Sequence, residues 1–213
     1  MADLKTDADH YSSKARRLLN MNEHDRAIIS WHLSLKGDSD NVDYLCIAIG
    51  YCMKGDFRKA AKNYAISLAI NSDYSPAWNG SGSCLFHLGK YNEAILKFKK
   101  SVELDPKYTL GYLNWGLSLY CMKEEAEAER VIEEGLRNTS MVKEAIERYQ
   151  LMLSLTEKRL SQATNEEEKA LLKEQISACQ WMLEVVSKKM EELEEEAKKT
   201  RLGRRGFILR WGD

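Results

Sequence analysis

The chain has 213 residues, 44% hydrophobic and 31% charged, with a formal net charge of −1. That composition belongs to a folded protein of one or two domains and excludes a disordered chain; the near-zero charge offers no global field to recruit nucleic acid. No run of about 18 apolar residues exists to span a bilayer, the N-terminus lacks the apolar stretch of a secretory signal, and five cysteines without a CxxC pair read as reduced thiols, so a soluble cytoplasmic protein is expected.

After a short N-terminal extension, residues 1–7, the chain falls into helix-turn-helix units with a period of 34. Tyr44, Ala60 and Tyr64 recur as Trp78, Ala94 and Phe98, and again as Tyr112, Ala128 and Ile132. A fixed phase of small and aromatic residues at this period marks units stacked in a row. A degenerate first unit holds Tyr11, Ala15, Leu18, Ala27, Trp31 and Ser34, one loop residue short of the period. The second holds Tyr44, Ala48, Tyr51, Gly55, Phe57, Ala60, Tyr64 and Ser67.

The third unit is the most regular. Its first helix is predicted from about Ser75 to Leu88, capped by Asp73 or Ser75, with Pro76 in the first turn. Gly89-Lys90 breaks it, because glycine takes the left-handed turn conformation readily. A second helix then carries the apolar stripe Ala94, Ile95, Phe98, Val102 and Leu104, and Asp105-Pro106 stops it. The fourth unit holds Tyr112, Gly116, Leu119, Ala128, Ile132 and Gly135, with Lys123 and Glu125 at its turn, which predicts a looser turn. The small residues let helices approach closely and the aromatics fill the gaps, so both are assigned to the core; no unit buries its face alone.

Beyond Arg137 the phase is lost. Residues 138–200 read as an antiparallel helical hairpin of coiled-coil type. Its first helix, capped at Asn138-Thr139-Ser140, carries Val142, Ile146, Tyr149, Leu153, Thr156, Leu160 and Ala163. Its second, opened by a capping box of Thr164 and Glu167 around Asn165, carries Leu172, Ile176, Cys179, Leu183, Val186, Met190, Leu193 and Ala197. A second stripe of Leu171, Ala178, Trp181 and Val185 suggests cover on two sides, by packing or by self-association. Residues 201–213 are a basic-aromatic tail with Phe207, Ile208, Leu209 and Trp211; two lysines and four arginines lie in residues 198–210 without an acid. Partner attachment, docking on its own or a neighbouring chain, and no role at all remain open for it.

The ordered set Trp78, Gly82, Leu85, Gly89, Tyr91, Ala94, Phe98, Ser101 and Pro106 resembles the tetratricopeptide repeat family, and the resemblance covers residues 8–137, about four units. It implies an all-α fold: a right-handed superhelical solenoid of helix-turn-helix units, here followed by the long hairpin. It further implies a concave groove lined by the first helix of each unit. The matching positions are Leu45, Ile49 and Met53, with Val42 and Cys46; Asn79, Ser83, Phe86 and His87; and Leu113, Asn114, Leu117 and Tyr120. The surface leans apolar, which suits a peptide or helix segment of a partner protein. A subclass of the family clamps acidic chaperone C-termini with lysine, asparagine and arginine. The matching positions here are Ser12, Arg16, Cys46, Pro76 and Gly80, or one repeat on, Leu45, Ile49, Gly80, Leu110 and Asn114. Neither set neutralises a carboxylate by bidentate pairing, so chaperone tails are disfavoured partners.

Catalytic motifs are missing: no HExxH, P-loop, nucleophile elbow or paired zinc-ligand spacing appears, and Gly80-x-Gly82 lacks a third glycine. A weak trio of Cys52, His87 and Cys121 on adjacent first helices has the ligand chemistry for zinc or copper, but reads better as small polar residues on a helix face. No cofactor, metal or enzyme activity is expected. The sequence therefore points to an interaction scaffold or adaptor that binds a protein segment in its groove. The alternative is a self-assembling structural protein that oligomerises through its hairpin or tail, with Trp181, Phe207, Ile208, Leu209 and Trp211 as the contacts.

Overall fold

A computed structural model describes residues 10, 13–15, 17–18, 21, 23–35, 40–137 and 142–201. Its helices are α1 (His24–Ser34), α2 (Asn41–Met53), α3 (Phe57–Ile70), α4 (Ser75–His87), α5 (Tyr91–Leu104), α6 (Thr109–Cys121), α7 (Glu125–Arg137), α8 (Val142–Gln162) and α9 (Glu166–Arg201). No strand occurs among the described residues, and no helix among them is long and apolar enough to cross a membrane. The chain forms two compact units, Met1–Ser140 and Met141–Asp213. The positions at Tyr11, Ser12, Arg16, Asn138 to Ser140 and the tail with Phe207, Ile208, Leu209 and Trp211 lie outside the described residues, as do the side chains of Leu193 and Ala197.

The first unit is a solenoid of helical pairs. Helices α2 and α3, α4 and α5, and α6 and α7 pack as hairpins, α3 packs on α4 and α5 on α6, and the first helices α2, α4 and α6 touch in sequence. Each turn is built alike. Gly55 and Gly89 sit at φ 78° and 74°, and the N–H groups of Gly55 and Asp56 donate to Cys52 O and Tyr51 O, both at 2.9 Å, as those of Gly89 and Lys90 do to Phe86 O and Leu85 O. The fourth unit corrects the expectation of a looser turn. Lys123 takes φ 66°, its N–H reaches Tyr120 O at 2.9 Å, and Glu124 N–H reaches Leu119 O at 3.0 Å. The packed pair imposes the turn and a lysine adopts a conformation that glycine would hold with less strain.

The core between paired helices contains Ala60, Ala94 and Ala128, all without accessible surface, with Tyr64, Phe98 and Ile132 nearly as buried. Trp78 is instead half-buried. Its indole N–H donates to Ser72 O at 2.7 Å, and Lys97 Nζ stands 4.9 Å from its ring centre. Capping departs from expectation at α4. Neither Asp73 nor Ser75 caps it; the Ser75 hydroxyl turns inward to Ser101 Oγ at 2.9 Å. Asp40 caps α2 as an acceptor from Val42 N–H and Asp43 N–H.

The second unit is the pair α8 and α9, packed on each other. Asn165 Oδ1 accepts from Glu167 N–H at 2.8 Å, so asparagine and not Thr164 is the cap. Arg159 near the end of α8 stands 3.8 Å from Glu168 at the start of α9, as an antiparallel pair requires. In α8, Val142, Tyr149 and Thr156 are buried, and the Thr156 hydroxyl is satisfied by Met152 O at 2.7 Å. In α9 the buried residues are Leu172, Gln175, Ala178, Cys179, Met182 and Val186, whereas Ile176 and Leu183 are half-buried. The seam thus uses Gln175 and Met182 where apolar spacing pointed to their neighbours; a glutamine is invisible to a search for apolar residues. Trp181 is half-buried. The 36 residues of α9 run roughly 54 Å at about 1.5 Å per residue.

Candidate functional site

The first helices present side chains from three consecutive repeats, and packing sorts the proposed groove residues into two sets. Leu113 and Leu117 have 0% and 1% of their surface accessible, Phe86 3%, Asn79 8% and Leu45 9%. Ile49, Met53, Ser83, His87, Asn114 and Tyr120 are half-buried. Burial thus divides the eleven expected groove residues into a buried and a half-buried set. The five buried residues, Asn79 among them, form the base of the site and leave a mixed open surface of Ile49, Met53, Ser83, His87, Asn114 and Tyr120.

Its polar part is ordered. Asn114 Nδ2 donates to Asn79 Oδ1 at 2.8 Å, linking α6 to α4. Behind each amide a serine bonds to the backbone, Ser83 Oγ to Asn79 O at 3.1 Å and Ser118 Oγ to Asn114 O at 2.8 Å. With its side-chain oxygen occupied from one side, Asn79 holds the Asn114 amide in a fixed direction. Its apolar part includes Ile49, Met53 and Tyr120. Lys123 Nζ lies 5.9 Å from the centre of the Tyr120 ring, at the outer reach of a cation–π contact. Spacing alone gave no reason to add Lys123, since it was read only as a turn residue.

The trio Cys52, His87 and Cys121 does not assemble. The His87 ring stacks on Phe57 with centroids 4.3 Å apart at 15°, and Cys52 lies against Cys84, not Cys121. No group of three or more potential ligands able to hold a metal occurs among the described residues. Of the clamp positions within the described residues, Leu45 and Gly80 are buried. A Cβ on Gly80 would meet the Tyr64 ring at 2.3 Å, so that position is closed by a side chain of the preceding repeat.

Comparison with known proteins places this geometry. The tetratricopeptide repeat family model matches residues 75–108. Hsp70-Hsp90 organizing protein 3 of Arabidopsis thaliana is 29% identical over 89 residues, 42% of this chain but 16% of that protein's length. The crystal structure of MamA superposes with a TM-score of 0.57 at 17% identity, covering 62% of this chain and 77% of that one. The second such domain of human RPAP3, solved in complex with the HSP70 peptide SGPTIEEVD, superposes with a TM-score of 0.52 at 18% identity, covering 54% of this chain and 97% of that one. At these identities the two structures speak for the fold.

Proposed function

Since this chain is a tetratricopeptide repeat protein, we propose that it is a non-catalytic adaptor that holds an extended or helical segment of another protein along α2, α4 and α6. The observation that supports this reading most is the Asn114–Asn79 amide pair at 2.8 Å, set among the half-buried Ile49, Met53 and Tyr120. The half-buried Asn114 amide, oriented by buried Asn79, can pair with a segment's backbone while apolar patches accept its side chains, the usual division of labour in peptide recognition. The relatives support a protein partner, because the RPAP3 domain was solved with a peptide. They do not carry its identity across. The clamp positions within the described residues hold no lysine or arginine, so the favoured segment is one with apolar side chains and not an acidic chaperone tail.

A peptide library displayed against the full chain tests this, with Ile49→Asp and Tyr120→Asp as site variants. Selected peptides should carry apolar residues and lose binding at least tenfold in both variants while far-ultraviolet circular dichroism stays unchanged. Retention of every peptide by both variants would rule the surface out. Tight binding of SGPTIEEVD that depends on its free carboxylate would instead establish the chaperone-tail reading. The self-assembly alternative rests on Trp181 and on tail residues outside the described set, and nothing in the described geometry favours it.

A further inference from the structure

None of the five cysteines is in a disulfide, and two of them meet. Cys52, near the end of α2, and Cys84, in α4, bring their sulfur atoms to 3.7 Å across adjacent repeats. Their surroundings differ. Cys52 keeps part of its surface, whereas Cys84 has none. The Tyr64 hydroxyl is a further influence that lowers the Cys52 thiol. That hydroxyl is steered by packing: a Cβ on Gly80 would lie 2.3 Å from Tyr64 Cζ and 2.7 Å from its oxygen, so the ring rests directly on the Gly80 backbone. Tyr64 itself stays protonated, because burial pushes its phenol well above the ordinary range.

We propose that Cys52 and Cys84 are a redox-active pair that closes reversibly into a disulfide joining α2 to α4, with Cys52 as the attacking sulfur and Cys84 as the resolving one. Cys84 in contact with Cys52, and Tyr64, both lower the Cys52 thiol and so favour its thiolate, which is the nucleophilic form. The Cys84 hydrogen bond is the larger cause lowering the Cys52 thiol, while that same bond and burial raise Cys84. The partly exposed sulfur is therefore the one more readily ionised. A disulfide needs sulfur atoms about 2.05 Å apart, so closure from 3.7 Å requires an approach of roughly 1.7 Å.

The oxidant is a low-molecular-weight disulfide. The Cys52 thiolate attacks one of its sulfurs, forms a mixed disulfide and expels one small thiolate. The Cys84 sulfur then attacks Cys52 Sγ, breaks that mixed bond and expels the second small thiolate, which takes up the Cys84 proton; solvent protonates the first. Two protein thiols are oxidised and one small disulfide is reduced to two thiols. Cys52 lies between Ile49 and Met53 on the first-helix surface, so the closed bond would tie together the surfaces of two repeats.

The test equilibrates the full reduced chain anaerobically with glutathione disulfide and glutathione in varied ratio, quenches with N-ethylmaleimide, and reads intact mass and peptide maps. The expected product carries three maleimides where the reduced chain carries five, is two hydrogens lighter once the maleimides are subtracted, and yields one cross-linked peptide pair, Cys52 with Cys84. In Cys84→Ala the reaction should stop at a glutathione adduct on Cys52. A wild-type chain that keeps five alkylated thiols at the most oxidising ratio, that accumulates the Cys52 adduct, or that links other cysteines would overturn the pair. This wild-type result decides the matter even if the variant fails to fold. Tyr64→Phe should slow adduct formation several-fold at pH 6.5 and little at pH 9; equal slowing at both would overturn the role of Tyr64 as a donor to the thiolate.

Discussion

Replacing Gly82 by alanine sets two effects of opposite sign against each other. Inside a helix, glycine is about 0.8–1 kcal/mol less favourable than alanine, so propensity alone makes Gly82→Ala stabilising. Packing opposes it. A Cβ at this position would lie 2.5 Å from Phe98 Cε1, 2.8 Å from Cδ1 and 3.0 Å from Cζ, where carbon atoms in contact sit about 3.5–4.0 Å apart. The ring must retreat by roughly 1 Å, and with Phe98 only 1% exposed it has no open space to enter. Overpacking of this kind costs about 1–3 kcal/mol. The balance is a net destabilisation of about 1 kcal/mol. Phe98→Leu removes the obstructing ring atoms, so in that background Gly82→Ala should be neutral or stabilising, with a coupling of about 1–2 kcal/mol between the sites. Urea unfolding of the four proteins, followed by circular dichroism, reads the midpoints; comparison requires unchanged slopes. If Gly82→Ala raises stability in the wild-type background, or if the two substitutions simply add, the close-approach argument for this fold's small residues is wrong.

Four further outcomes follow from particular residues. Lys123→Gly should stabilise the chain by about 0.5–1 kcal/mol, since Lys123 holds φ 66° where glycine is at home; a lowered thermal midpoint would mean that its contact with Tyr120 outweighs the backbone strain. Ser101→Ala should destabilise by about 0.5–1.5 kcal/mol, since it removes the bonds of the Ser101 hydroxyl to Ser75 while the Ser75 hydroxyl keeps the Ser101 carbonyl. Thr109→Val should be neutral or slightly stabilising, because buried Thr109 Oγ1 has no hydrogen-bond partner, and equal losses in both variants on denaturant titration would contradict that pairing. Leu117→Asp should unfold the repeat region outright, since it buries a charge at a residue 1% exposed, and a folded, merely binding-deficient product would show that Leu117 faces a ligand after all.

Much of the solenoid was legible because the repeat states the same packing problem three times. Ala60, Ala94 and Ala128 recur because each faces a partner helix, and the turns recur because Gly55 and Gly89 need a positive φ. The candidate site was less legible. Helices α4 and α6 are apolar or small on most sides, since each meets its own second helix and first helices of neighbouring repeats. With no polar face to orient them, spacing could not separate buried Leu113 and Leu117 from half-buried Asn114 and Tyr120. In α9 the same limit appears as a shift by one position, because Met182 and Leu183 are both apolar and Gln175 is not.

Contacts inside one repeat and contacts between repeats obey different arithmetic, and this is where the particular chemistry of the chain resides. Ser67 donates to Asn41 O and Ser101 to Ser75 O, both at a sequence separation of 26; the second is the first moved by one period. The next pair in that series is Thr109 with Gly135, and because glycine has no hydroxyl, Thr109 is left unpaired. Between repeats the separations are 35 for Asn79 with Asn114 and 32 for Cys52 with Cys84. One period away the same positions hold Leu45 with Gly80 and Phe86 with Ser118, so neither pair recurs. A contact dictated by the shared packing must recur with the period, and one that does not recur has to be explained by the residues of this chain. By that criterion the amide pair and the thiol pair, both on the first helices, are the features whose substitution should change what the protein binds and how it responds to oxidants while leaving the solenoid folded.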